Sequence, residues 1–278
     1  MKHILITGKN SYIGNSFTSW LAKYPNDYEV TSIDMRDDKW KQEDFSKYDV
    51  VFHVAGIAHV KEKKKNRDLY YKVNRDLAFE TAKKAKEDGV KHFIFLSSMS
   101  VYGLETGVID RDTPEEPKSH YGISKLEAEK LIAPLNSDSF KVSILRPPMI
   151  YGKGCKGNYP KLAKLAKLSP IFPAVENKRS MLFIDHLSEF TRLLIEQNLK
   201  GFFFPQNNEY VNTSRMVKSI SQKNHKDIKL TSIFNPIIRV LRFSVVKKIF
   251  GDLYYKIEDN HFNYNLYNFE KTVELVED

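Results

Sequence analysis

Apolar positions in the first half of the chain switch repeatedly between two periods. HILIT at 3–7 is a short apolar run that ends at Gly8, and residues 13–24 then carry apolar side chains at helical spacing before Pro25. That predicts strand, turn, helix. Runs at 29–33, 50–55 (VVFHVA) and 92–97 (HFIFLS) predict three more strands, and the stretch 69–88 predicts a long helix stopped by Gly89. After a Pro-rich connection at 113–117, a helix at 121–132 and a strand KVSILR at 141–146 continue the alternation. Such alternation implies an α/β fold: a doubly wound parallel sheet, covered by helices on both faces, with ligands at the carboxyl ends of its strands.

From 147 onward the pattern changes. The elements become shorter and are separated by Pro and Asn, as in RPPMIYG, SPIFP and FFFPQNN. A smaller, loop-rich lobe is expected there, which divides the chain into 1–150 and an interleaved 151–278 without a sharp boundary.

Composition narrows the class. With 278 residues, 41% hydrophobic and 28% charged, the chain can bury a sizeable core and is not disordered as a whole. No apolar run approaches the roughly 20 residues of a membrane span, and the opening residues lack the pattern of a secretory signal. A single cysteine, Cys155, excludes an internal disulfide and fits a reducing compartment, so the cytoplasm is expected. The net charge of +9 peaks in KEKKKNR at 61–67, which has no interleaved aromatics for stacking on bases and reads as a solvated face. Nucleic acid is not an expected partner. The segment SIFNPIIRVLRFSVVKKIF at 232–250 pairs apolar residues with Arg239, Arg242, Lys247 and Lys248, and either packs on the smaller lobe, forms a dimer contact or touches a membrane surface peripherally.

The turn TGKNSYIG after the first strand has the position of a dinucleotide loop but only two of its usual three glycines. Gly8 fits the tight bend and Gly14 the close packing of helix on strand; Ser11 stands where backbone approaches a pyrophosphate, offering a hydroxyl instead. Asp34, at the end of the second strand, suits an adenosine ribose and would repel a 2′-phosphate, which favours NAD. Arg36 and Lys9 could neutralise that phosphate, so NADP stays open.

YGISK at 121–125 puts Tyr121 and Lys125 on one helix face. Tyr267 and Lys271 repeat the spacing near the other end, so context must decide. LSSMSVYG at 96–103 places Ser98 at the carboxyl edge of the fourth strand, and nothing comparable surrounds Tyr267. Through TGKNSYIG, HVAGIAHV, Val73–Asn74, GVKHFIFLSSMSVYG, TPEEPKSHYGISKLEAEK, LRPPMIYG, GNYPKL and KRSMLFIDHL the chain resembles the extended short-chain dehydrogenase/reductase family, in its sugar-nucleotide epimerase, dehydratase and reductase branch.

The resemblance implies a Rossmann domain with a substrate-binding lobe. It gives Tyr121 the acid/base role, Lys125 the nicotinamide ribose and Ser98 the reacting oxygen, with an ammonium near Tyr121 favouring its phenolate. It adds Tyr12, Ile13, Val54, Ala55, Gly56, Ile57 and Asn74 to the cofactor contacts, and Asn158, Tyr159, Phe172 and Arg179 to those of a UDP-linked sugar. No metal is implied; a homodimer is. Met99 and Ser100 stand where 4,6-dehydratases carry Asp-Glu, which argues against dehydration, and Met149 stands where many epimerases carry Asn. Redox at sugar C4 in surface-polysaccharide precursor synthesis remains. A 4-keto-6-deoxy-N-acetylhexosamine reductase is expected ahead of a UDP-hexose 4-epimerase, and a non-catalytic NAD(P)-sensing regulator stands well behind both.

Overall fold

The alternation is realised as six strands in one parallel sheet. They are β1 (Lys2–Thr7), β2 (Tyr28–Ile33), β3 (Val50–His53), β4 (His92–Leu96), β5 (Lys141–Leu145) and β6 (Gly201–Phe203), in the spatial order β2-β1-β3-β4-β5-β6. Every neighbouring pair is parallel. The structure is a computed structural model describing residues 1–58, 62, 66–240, 243–256 and 262–278, without the side chains at 237, 239 and 245. Most of the basic run at 61–67 therefore lies outside the described residues, as do Arg242 and the side chain of Arg239.

Both faces of the sheet are covered, which is why its strands read as nearly continuous apolar runs rather than alternating ones. Leu5, Val51, Phe93 and Phe95 share one core with Ala78, Ala82 and Ala85 of α2 (Leu77–Glu87) and with Ala128 and Ile132 of α3 (His120–Ile132). Phe52, one residue on from Val51, points the other way. It meets Phe17 of α1 (Tyr12–Leu21) edge to face, ring centroids 5.3 Å apart.

Two compact units emerge. The first holds 1–103, 114–147 and 187–205; the second holds 104–113, 148–186 and 206–278. The chain thus passes between the units five times, after 103, 113, 147, 186 and 205, and the stretch 187–205 brings β6 back to pair beside β5. The second unit carries three two-stranded parallel ladders: Gly107–Ile109 with Leu253–Tyr255, Met149–Tyr151 with Met181–Phe183, and Ile171–Pro173 with Lys229–Thr231. Its helices Asn158–Leu168 and Phe269–Glu277 each pack on Thr213–Lys223. Among the described residues, no helix is long and apolar enough to cross a membrane.

Two elements differ from expectation. The third strand stops at His53 rather than at 55, and the long helical run begins at Arg67 and passes through a π-helical turn at Tyr71–Asp76 before α2. One residue links both departures, as shown below: Asn74 of the π turn fixes the loop that follows β3.

In the first unit the sheet order reverses between β1 and β3, where a doubly wound sheet opens its ligand crevice. Gly8 closes β1 there with φ +98°, and a Cβ on it would stand 3.1 Å from the Ala55 backbone. Gly8→Ala is expected to cost more than the roughly 1–2 kcal/mol of left-handed strain, since strain and contact add. Gly89→Ala, at φ +83° in open space, supplies the strain alone. Urea unfolding of the two variants should separate them; equal losses would show that the Ala55 contact carries nothing.

Candidate active site

Ser98, Tyr121 and Lys125 come together through a glycine. Ser119 starts α3 by accepting a hydrogen bond from the Gly122 N–H at 3.0 Å, which puts Tyr121 in the first turn and Lys125 and Glu129 below it on the same face. A Cβ on Gly122 would lie 2.5 Å from the Ser100 carbonyl oxygen, so only glycine lets α3 rest on the turn Met99–Tyr102 that follows β4. Ser98 caps that turn, its Oγ accepting from the Ser100 N–H at 3.1 Å. The Tyr121 backbone N–H, left over at the helix start, donates to Glu62 at 3.1 Å.

The electrostatics of the pair oppose one another. Burial pushes the Tyr121 phenol up, the facing Ser98 hydroxyl pulls it back, and Tyr70 adds to the rise. Burial brings Lys125 from its ordinary 10.5 down to about 8, with Glu129 working the other way. Its ammonium donates to the Leu96 carbonyl at 2.7 Å and lies 4.6 Å above the Phe95 ring. Lys125 is thus turned to the end of β4 and toward Gly56, where a Cβ would be 3.5 Å from its Nζ.

The loop Val54–Ile57 is held by Asn74. Its buried carboxamide accepts from the Ile57 N–H at 2.7 Å and donates to the Ile57 carbonyl at 3.1 Å and to Ser124 Oγ of α3 at 3.2 Å. The π turn is a device found often at functional sites.

At the crevice, Ser11 Oγ accepts from the Gly14 N–H at 3.1 Å and so caps α1. Its own hydroxyl proton is left for an anion. Gly14 has no room for more, since a Cβ there would meet Ser11 Oγ at 2.6 Å; Tyr12 and Ile13 form the first turn beside it. Asp34 follows β2 directly and takes the Arg36 Nε at 2.9 Å on each oxygen. That hydrogen bonding holds its carboxyl at about 2, so it is ionised at neutral pH. A dinucleotide fits these groups: a helix N-terminus for the diphosphate, a carboxylate for the adenosine ribose, and the Lys125 ammonium beside Gly56 for the second ribose.

The four residues expected to hold substrate lie in the second unit and differ in access. Asn158 opens its helix, exposed. Arg179 is half-buried, its backbone bridging Val211 and Leu253 and its Nη1 donating to the Gly251 carbonyl at 2.8 Å; burial pulls its guanidinium below the ordinary value. Tyr159 stacks on Tyr151 and donates to Glu277 at 2.9 Å. Phe172 is buried against Phe250.

Sequence reasoning missed a buried ion pair beneath the site. Glu129 and Arg146 are 1% and 3% exposed, and the Arg146 Nε reaches the two carboxylate oxygens at 3.1 and 3.2 Å. Arg146 also donates to the Tyr102 hydroxyl at 2.9 Å and to Glu115, while Ser97 donates to Glu129. Glu129 stands four residues after Lys125, a spacing that could have flagged it. His53 was missed as well: it is fully buried, paired through Nδ1 with Thr7 at 2.8 Å, and burial, aided by the Lys125 charge, lowers it to about 3. It stays neutral, spacing β1 from β3.

Removing one partner strands the other as a buried charge. Arg146→Met is therefore expected to cost about 3–5 kcal/mol in chemical unfolding, and adding Glu129→Leu should recover most of it. A loss under about 1 kcal/mol in the single variant would mean the pair holds nothing together.

Over residues 4–201 the chain matches the NAD dependent epimerase/dehydratase family. It is 32% identical to a UDP-glucose 4-epimerase of Vibrio cholerae, covering 79% of this chain and 75% of that one. It is 27% identical to an N-acetyl-α-D-glucosaminyl-diphospho-ditrans,octacis-undecaprenol 4-epimerase of Escherichia coli O157:H7, covering 81% and 71%. Its fold is similar to that of a UDP-glucuronic acid 4-epimerase from Bacillus cereus solved with NAD, with TM-score 0.75 at 19% identity over 99% and 97% of the two chains. A parallel sheet with its crevice at Gly8, a Ser-Tyr-Lys set past the fourth strand and this match over most of the chain lead to one assignment: the chain belongs to the NAD dependent epimerase/dehydratase family, whose members are NAD(P)-dependent enzymes.

Proposed function

We propose that the chain is a 4-epimerase of a sugar diphosphate, most simply a UDP-hexose. The observation that carries this reading is the convergence of Ser98 and Tyr121 on one point past β4, with Lys125 against the Gly56 loop. Two relatives, matched over 75% and 71% of their own length and both named as 4-epimerases, support epimerisation over net reduction.

Bound NAD would supply a reversible hydride acceptor and a positive ring. The chain's residues do the rest. Tyr121 takes the proton from the C4 hydroxyl and later returns it, Ser98 donates a hydrogen bond to the same oxygen, and Lys125 holds the ribose hydroxyls. Such an acceptor would take hydride from C4 and return it to the opposite face of the keto sugar, so electrons would balance without a second reductant. Asn158 and Arg179 are the proposed contacts to the nucleotide, Arg179 as a fork for the diphosphate.

A 4-ketoreductase is the second reading. Met149, in place of the Asn that many epimerases carry, and Arg36, exposed beside Asp34 and able to meet a 2′-phosphate, favour it. The deciding experiment incubates the enzyme with UDP-glucose or UDP-N-acetylglucosamine without added cofactor and reads C4 configuration by NMR. In parallel, a UDP-4-keto-6-deoxy-N-acetylhexosamine is offered with NADH or NADPH. Interconversion in the first supports the epimerase; stoichiometric loss of reduced nicotinamide in the second replaces it. Tyr121→Phe should lower turnover about 10²–10⁴-fold with cofactor affinity nearly unchanged; undiminished turnover would refute the assignment.

Lys125 sets a pH dependence. Its charge in the cofactor-free enzyme is full below about 8 and is lost as pH rises through that value. Affinity for NAD, measured by titration of the apoenzyme, should then weaken by up to about tenfold per pH unit above it, and Lys125→Met should show a weaker, flat profile. Because burial lowers this lysine from 10.5 to about 8, its charge destabilises the fold below that window, and stability should rise across it. Wild-type affinity that is constant across the window would exclude Lys125 as the ribose ligand.

A further inference from the structure

The second unit exposes apolar side chains where its secondary structure should hide them. Ile233, Val240 and Phe243 are 78%, 79% and 68% exposed, and Leu168, Ile171 and Leu230 are exposed as well. Backbone pairing and hydrogen bonds join the segments that carry Leu168, Ile171, Leu230 and Ile233. Leu168 ends the helix Asn158–Leu168, Ile171 begins the strand paired with Lys229–Thr231, and Lys229 N–H donates to the Pro170 carbonyl at 3.0 Å. Ala174 N–H donates to the Thr231 carbonyl at 2.8 Å, and Asn235 at the head of the helix Asn235–Val240 donates to the Ala174 carbonyl at 2.7 Å.

Charge is concentrated in the same segments. Residues 158–176 and 226–250 contain nine Lys or Arg and two acidic residues, out of 44 and 35 in the chain, so +7 of the net +9 arises here. Two of these cations meet carboxylates, Lys167 with Glu277 at 2.7 Å and Lys248 with Glu105 at 3.5 Å. Lys164, Lys226 and Lys229 are exposed along the same surface. A second copy of the chain is a poor occupant, because a two-fold contact would bring like charges together. Apolar side chains within a cationic field match a surface that is both greasy and anionic.

We propose that this face docks on an anionic lipid bilayer. Ile233, Val240 and Phe243 enter the boundary between headgroups and acyl chains, and Lys229, Lys247 and Lys248 meet headgroup phosphates. The proposal is independent of which sugar the first unit turns over.

The test is co-sedimentation of the full chain with vesicles of phosphatidylglycerol or of phosphatidylcholine. Binding to the first should exceed binding to the second and fall with added salt. Lys247→Ala with Lys248→Ala should weaken partitioning on the order of 30-fold, from about 1 kcal/mol per lysine near the surface. Ile233→Ser with Val240→Ser and Phe243→Ser should weaken it further with circular dichroism and melting unchanged. Lys39→Ala with Lys41→Ala, two exposed lysines of the first unit, removes the same charge and should change it little. The proposal is overturned if phosphatidylglycerol is not preferred, or if the control pair loses as much as Lys247 and Lys248. It is overturned equally if the serine variants bind normally, or if sedimentation equilibrium shows that this face instead pairs two copies.

Discussion

Arg146 and Glu129 face each other in the interior of the first unit, and the chemistry above them depends on that pair. An isolated buried charge costs several kcal/mol, so neither group tolerates movement away from the other. Each is attached to a different part of the site. Glu129 is one helical turn below Lys125, Arg146 closes β5, Tyr102 ends the turn that Ser98 begins, and Ser97 sits next to Ser98 itself. Shifting α3 against the sheet would open the ion pair, and the distance between Ser98 and Tyr121 is fixed as a result.

A second constraint is steric rather than electrostatic. Gly122 removes the Cβ that would hold α3 away from the Ser100 carbonyl, and Gly8 removes the one that would hold the β1 turn away from Ala55. Both close approaches occur at the carboxyl edge of the sheet. Asn74 serves the third approach by hydrogen bonding, satisfying the N–H and C=O of Ile57 where β3 has already ended. Four residues past the end of β3, both backbone groups of Ile57 are thus paired with a side chain rather than with a neighbouring strand.

Period alone disclosed the sheet, since strands buried on both faces leave unbroken apolar runs, and YGISK beside LSSMSVYG pointed to the proposed reactive set. What sequence could not disclose were contacts whose partners are distant along the chain. Arg146 and Glu129 are 17 residues apart on different elements, and Asn74 meets Ile57 across the π turn. Where the two units interleave was hidden for the same reason: nothing local to 201–203 says that it pairs with β5. In the second unit, Tyr159 and Phe172 read as ligand contacts by motif, yet both are ring-packed within the protein, because any aromatic beside a Pro or Leu run can serve either purpose.

The resting charge state follows from this packing. Burial holds the Tyr121 phenol protonated and weakens the hold of Lys125 on its own proton, so the packing around them disfavours charge on both groups. A positive ring brought beside Tyr121 would reverse the balance for the phenol, and ribose hydroxyls brought to Lys125 would replace the water its ammonium has lost. Acid/base readiness is then linked to cofactor binding by the same free energy, read in either direction. Burial that disfavours charge on Tyr121 would thereby couple its proposed role as proton acceptor to cofactor binding.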